Sequence, residues 1–208
     1  MEKCNRSVSA GTEYNGGLTR EQFLFHEMRT TAKLLDSGKN DAEILDEITR
    51  DNLFQFPTER SVKNLAQCCL RRLHALNAPE LVRAIANAPS EDSKQICLYA
   101  ITKQNRLVWD FMITVIGEKY RLLDNSFSRM DLNIFFSRLQ EQSDSVAAWS
   151  EQTIQKIKSV LVRILVENSY LDSNRSVTLN PVLIVPLLEA KIRAAGDLAA
   201  LPAFNCLL

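Results

Sequence analysis

Residues 149–181 read WSEQTIQKIKSVLVRILVENSYLDSNRSVTLNP, and the fold class turns on this stretch. Ser150 stands at an N-cap position, with Glu151 and Gln152 in the first turn and Thr153 completing a polar start. Ile154, Ile157, Leu161, Ile164 and Leu165 then recur at helical spacing and make one apolar face. The opposite face carries Gln152, Gln155, Lys156, Ser159 and Arg163, none of them acidic. The helix is predicted to end near Asn168. Beyond it, Tyr170-Leu171 and Val177-Thr178-Leu179 flank a polar turn over 172–176, with Asn174 and Arg175 at the tip. That is a short hairpin signal. A short helical segment, a helix and a small hairpin, in that order, outline a winged helix-turn-helix. In that module the helix enters the major groove of DNA and the wing touches the backbone.

Working outward, 208 residues suit one large or two small domains. Hydrophobic residues make up 46% and charged ones 24%, the balance of an ordinary soluble globular protein. Six glycines and six prolines are few, which favours helices over turn-rich β structure. Lys plus Arg and Asp plus Glu each total 25, so a nucleic-acid binder of this composition must gather its positive charge into patches. The five cysteines, at 4, 68, 69, 97 and 206, form no C-x-x-C pair and no metal spacing with the two histidines. They read as reduced thiols of a cytoplasmic protein, with Cys69 in a core. The N-terminus is polar, so no signal peptide is expected. The longest apolar run, 182–188, falls well short of the ~20 residues of a membrane span. No membrane span, cofactor or metal is expected.

Taken in order, residues 1–17 read as a flexible tail. A helix over 23–35 leads to a short helix over 41–51 whose outer side is acidic. After a turn at 53–57, a helix over 58–77 carries Val62, Leu65, Ala66, Cys69, Leu73 and Leu76 as a core stripe. Its other side presents Arg60, Lys63, Asn64, Gln67 and Arg71, flanked by Arg72 and His74. Short helix, turn and long helix thus repeat the C-terminal arrangement without a wing. Helices over 79–88, 91–104 and 106–123 supply a dense central layer. A helix over 131–140 and a helical turn over 145–149 precede the opening stretch. A helix over 181–195 follows it, in which Pro186 either makes a kink or marks the true first turn. The apolar end of the chain is expected to dock on the body or on a partner subunit. The resulting divisions are a tail (1–17), an N-terminal helix-turn-helix-like module (18–88), a central helical layer (89–125), a C-terminal winged-helix module (126–195) and an apolar tail (196–208).

No G-x-S-x-G, P-loop, H-E-x-x-H or dinucleotide fingerprint occurs, and no nucleophile stands with a base, so the chain reads as non-enzymatic. Lys and Arg neutralise phosphates, and Arg, Gln and Asn read base edges. The candidate nucleic-acid residues are therefore Arg60, Lys63, Asn64, Gln67 and Arg71 on one helix, Gln155, Lys156, Ser159 and Arg163 on the other, and Asn174 and Arg175 in the wing. Any solvated helix face carries similar residues. That plain reading is favoured for 58–77, whereas the hairpin adds independent support for 152–163.

Three stretches carry a likeness to a known family: MRTTAKLLDSGKNDAEILDEITRDNLFQF with RSVKNLAQCCLRRLHAL, then QICLYAITKQNRLVWDFMITVIGEKY, then DLNIFFSRL with AAWSEQTIQKIKSVLVRILVENSYL. These are packing patterns spread over most of the chain. In them it resembles the BrxA family, small components of bacteriophage-exclusion (BREX) defence systems in bacteria. The resemblance implies a helical protein with helix-turn-helix-like modules near both ends. It also implies binding of double-stranded DNA beside other BREX proteins, without catalysis. Similar proteins have been likened to the RNA-binding NusB helical bundle and called inner-membrane proteins; the short apolar runs argue against a membrane. An RNA-binding bundle and a protein–protein adaptor are the alternative functions.

Overall fold

Asn40, Thr58, Asn105, Ser128 and Ser150 each stand one residue ahead of a helix. The side chain of each accepts a hydrogen bond from first-turn backbone N–H groups. Two of these starts are reciprocal capping boxes, Asn40 with Glu43 and Ser128 with Asp131. The computed structural model describes residues 13–206. The helices are α1 (Phe25–Asp36), α2 (Asp41–Arg50), α3 (Glu59–Ala75), α4 (Pro79–Asn87) and α5 (Ser90–Gln104). Then α6 (Arg106–Phe111) runs through a π-helical stretch, Met112–Gly117, into α7 (Glu118–Arg121). They are followed by α8 (Arg129–Gln142), α9 (Asp144–Ala147), α10 (Glu151–Glu167) and α11 (Pro186–Ala194). Short 3-10 segments lie at Gly16–Thr19 and Leu198–Phe204. The protein is mainly α.

Packing follows from the apolar faces. α1 lies against α3 and α4, α2 lies on α3, and both α3 and α4 reach α5. On α5 every residue from Ile96 to Thr102 is buried, so this helix has no wet face in that stretch and occupies the centre. One hydrophobic cluster runs from Leu18 to Phe204. The C-terminal segment docks on the body. Asp197, 3% exposed, accepts hydrogen bonds from Tyr99 Oη (2.5 Å) and Lys103 Nζ (2.7 Å), and Tyr170 donates to the Ala203 carbonyl at 2.9 Å. A Cβ at Gly117 would lie 3.2 Å from the Ala203 amide nitrogen, so glycine lets the tail close directly on the π-helical stretch. Of the expected tail at 1–17, residues 1–12 lie outside the described residues. Tyr14 donates to Asp110 Oδ2 at 2.5 Å, and the Gly16–Thr19 segment packs on α10.

The wing hairpin is corrected. The described residues contain no named strand. Tyr170 and Leu171 are both buried, which a strand with one wet face does not permit for neighbours. The segment around Thr178 instead crosses to the linker before α8. Leu179 N donates to Asn125 O (2.7 Å) and Phe127 N to Val177 O (2.8 Å), around a single antiparallel bridge between Ser126 and Thr178. Between the two arms that were expected to pair, Asn180 alone makes the link, its backbone N donating to Tyr170 O (2.9 Å) and its side chain to Ser169 O and Asp172 among the described residues. The fold is therefore a helical bundle with a C-terminal loop in place of a β-hairpin wing.

The helix expected over 181–195 begins only at Pro186, which takes the first helical position where its missing N–H costs nothing. Before it, the Gln95 side chain brackets an irregular segment, donating to Leu183 O and accepting from Val185 N. Gly196, at φ 76°, ends α11 with Asp197 N bonded back to Ile192 O. No helix of the described residues is long and apolar enough to cross a membrane.

Candidate nucleic-acid interface

Ile154, Ile157, Leu161, Ile164 and Leu165 of α10 are buried, and this turns Gln152, Gln155, Lys156, Ser159 and Arg163 outward, all exposed. The cations of α10 share one property: none is ion-paired. Lys156 has no partner among the described residues, Lys158 donates to the neutral amide of Asn133 (2.9 Å), and Arg163 donates to the neutral amide of Gln22 (2.7 Å). Other cations are held by carboxylates, as in Lys39–Glu47, Arg50–Asp46, Lys103–Asp197, Lys119–Asp131 and Lys191–Glu80, although Arg20, Arg60 and Lys63 also lie outside any ion pair among the described residues. Two stripe residues turn part of their hydrogen bonding back on the helix. Gln155 Nε2 donates to Glu151 at 2.6 Å and Ser159 Oγ to the Gln155 carbonyl at 2.9 Å.

On α3, Arg60, Lys63 and Asn64 are exposed without side-chain partners among the described residues, and Gln67 is half-buried. Arg71 is taken by Glu21 at 3.0 Å, and His74 meets Asp41 at 2.9 Å. Acidic groups thus border this patch, and it offers less uncompensated charge than α10. Arg72, expected to flank the basic face, is 1% exposed and points inward. It donates to the carbonyls of Glu21 (2.5 Å), Gln22 (2.8 Å) and Phe23 (3.1 Å). Helical periodicity could not separate Arg71 from Arg72, because adjacent residues lie only about 100° apart around a helix.

The two stripes, separate in sequence, meet at the segment that precedes α1. Arg71 and Arg72 of α3 hold Glu21, while Arg163 of α10 holds Gln22. Arg20, next to Glu21 in the same segment, is exposed and has no side-chain partner among the described residues. Arg20 and Gln22 therefore join the candidate surface, and Lys158, half-buried between Asn133 and the Phe136 ring (5.4 Å to its centroid), borders it. No periodic pattern could reveal Arg20 and Gln22, since they lie in a loop. Asn174 and Arg175 are exposed on the loop closed by Ser173 and Ser176, and no side-chain bond connects them to the α10 stripe.

The thiols of Cys68, Cys69 and Cys97 are buried, so Cys68 joins Cys69 in the interior. Burial pushes Cys68 and Cys97 up to about 12, and Cys69 well above its usual range. Among the described residues, no three His, Cys, Asp or Glu side chains gather in a way that could hold a metal ion.

The fold and the sequence both have relatives. A protein from Magnetospirillum magneticum, described only as uncharacterized, has a crystal structure that superposes with a TM-score of 0.77 at 20% identity. The match covers 92% of this chain and 97% of that one, and shows a shared fold. A BREX protein BrxA of Bacillus cereus (strain H3081.97) is 37% identical over 187 residues, covering 88% of this chain and 92% of its own length. A BREX protein BrxA of Escherichia coli O9:H4 (strain HS) is 23% identical over 182 residues, covering 88% of this chain and 85% of its own. The BrxA family model matches residues 12–196. With that span and that identity, the chain belongs to the BrxA family.

Proposed function

We propose that this chain is a non-enzymatic, cytoplasmic component of a BREX phage-defence system that binds double-stranded DNA through the outward stripe of α10. The observation that carries the reading is that Lys156, Lys158 and Arg163 lie on one helix and none forms an ion pair among the described residues. Cations without a carboxylate within ion-pair distance are free to displace counterions from phosphates. Arg60 and Lys63 add a second, weaker patch, and Arg20 adds an exposed cation on the segment that meets both helices. Gln155 and Ser159 spend donors on their own helix, which favours phosphate contact over base reading. The expected binding is sequence-independent, in the range of ~10⁻⁴ to 10⁻⁶ M at physiological salt.

Replacing Lys156 and Arg163 by Glu tests the surface. Duplex affinity should fall at least about tenfold while the far-ultraviolet circular dichroism stays unchanged. Unchanged affinity in the folded variant would refute the assignment. A single Lys156→Glu variant leaves the Arg163–Gln22 bond in place and separates charge from packing.

A protein–protein adaptor is the second reading. Leu122, Leu123, Met130 and Val177 are 75%, 80%, 64% and 67% exposed, apolar area that a partner protein would bury. A complex with other BREX proteins that survives nuclease and high salt would favour it. Competition between duplex DNA and structured RNA addresses the RNA-binding alternative.

A further inference from the structure

At the C-terminal end of the α10 stripe the surface opens into a cleft of about 550 Å³, within the usual size range of small-ligand sites. Its walls come from the segment before α1, the start of α1, the α2–α3 turn, and the ends of α5 and α10. Three phenylalanines and a histidine stand among its eleven lining residues, in a chain whose Phe, Trp and Tyr together make up 7%. Phe23 and Phe25 form a buried floor with near-parallel rings, centroids 6.4 Å apart at 12°. His26 meets the Phe25 edge at 5.4 Å and is exposed, and Phe56 is half-buried on the opposite element. Lys94 sits over the Phe25 ring at 5.9 Å, and Arg20 adds an unpartnered cation to the lining. Gln22, Glu27 and Glu167 supply an amide and two carboxyl groups within the same walls.

We infer that this cleft takes an unpaired base of a nucleic-acid strand whose phosphates lie along α10. The accessible rings, Phe56 and His26, accept any base by stacking over the buried Phe23–Phe25 floor, and cations at the rim suit the flanking phosphates. Carboxylates accept hydrogen bonds from base amino groups, and the Gln22 amide both donates and accepts. Continuity carries the assignment to nucleic acid. Gln22 both lines the cleft and holds Arg163, and Glu167 lies one helical turn beyond Arg163 on the same stripe. Bases inside a duplex are stacked and paired, so the occupant is a frayed end, gap or overhang. The inference rests on the nucleic-acid reading above.

The test titrates the full chain at one salt concentration against a blunt duplex, the same duplex with a three-nucleotide single-stranded overhang, and the overhang strand alone. The overhang should tighten binding by roughly 5- to 140-fold, the scale of one stacked base. Phe56→Ala should abolish that gain and leave blunt-duplex affinity unchanged. His26→Ala, at an exposed position, serves as a second variant and should reduce the gain if Phe56→Ala does not fold. An overhang that adds nothing to duplex binding overturns the cleft assignment while the duplex reading stands, and a gain that survives both substitutions does the same. If the blunt duplex fails to bind but the single strand binds and loses affinity in the variants, the cleft holds and the duplex reading falls. Binding of none of the three overturns both.

Discussion

Truncating Arg72 to Ala should be among the most damaging single changes in the N-terminal half. The guanidinium is 1% exposed, has no ion-pair partner, and donates to three consecutive carbonyls at 2.5, 2.8 and 3.1 Å. A hydrogen bond from a charged donor contributes about 1.5–3 kcal/mol. The Glu21 and Gln22 residues are half-buried, so water replaces part of that loss; Phe23 is buried and its carbonyl stays unsatisfied. The emptied volume adds a cavity cost. Together these give about 3–5 kcal/mol, or a drop in Tm of about 6–20 °C for a chain of this length. Arg72→Met keeps the volume and removes the buried charge, so it should cost about 1–3 kcal/mol. Arg71→Ala removes only the half-exposed pair with Glu21 and should cost about 0.2–1 kcal/mol. Urea unfolding followed by circular dichroism measures all three. Trypsin cleavage after Arg20 supplies a local readout, since Arg72→Ala frees the segment that Arg72 clamps. An Arg72→Ala protein within about 1 kcal/mol of the parent, cleaved no faster at Arg20, would refute the clamp.

Two further outcomes follow from buried titrating groups. In a Cys4→Ser background at pH 8, Cys206 should be the thiol that reacts with a disulfide reagent in the native state, and Cys68, Cys69 and Cys97 should react only after denaturation. Fast labelling of a second native thiol would contradict their burial. Burial also raises the Glu167 carboxyl above its ordinary value of 4.5, outweighing the pull of Arg163 and Lys94. The folded state then holds that proton more tightly than the unfolded one. Stability therefore falls as pH rises from about 4.5 through the raised folded value, and the penalty is complete above it. Glu167→Gln should raise Tm at pH 7 and leave it nearly unchanged at pH 4; an equal gain at both would mean that charge is not the cause.

Much of the helical frame was legible because local chemistry marks it. Ser150 and Thr58 cap α10 and α3 as their positions suggest, and the apolar stripes of both helices are buried as read. Features that depend on distant partners were not legible. Tyr170-Leu171 and Val177–Leu179 look like two arms of a hairpin because each is short, apolar and bounded by polar residues. Their actual partners are the core and the linker at 125–127, which no local pattern records. Pro186 left two outcomes open, and the Gln95 bracket on the preceding segment accompanies the later start. At the candidate surface, the α10 stripe faces outward as its spacing implies. The junction of the two stripes through Glu21 and Gln22 spans contacts 50 and 141 residues apart in sequence, beyond the reach of any periodicity.

The central claim is that α10 offers unpaired cations to DNA phosphates. The most direct test is the affinity of the purified chain for an arbitrary duplex over a series of salt concentrations. Three phosphate contacts, from Lys156, Lys158 and Arg163, predict a slope of log affinity against log salt near −2.7, steepening toward −4.5 if Arg60 and Lys63 also engage. A slope in that range, reduced by about 0.9 in Lys156→Ala, would support the account. Binding that does not respond to salt, or no binding even at low salt, would contradict it.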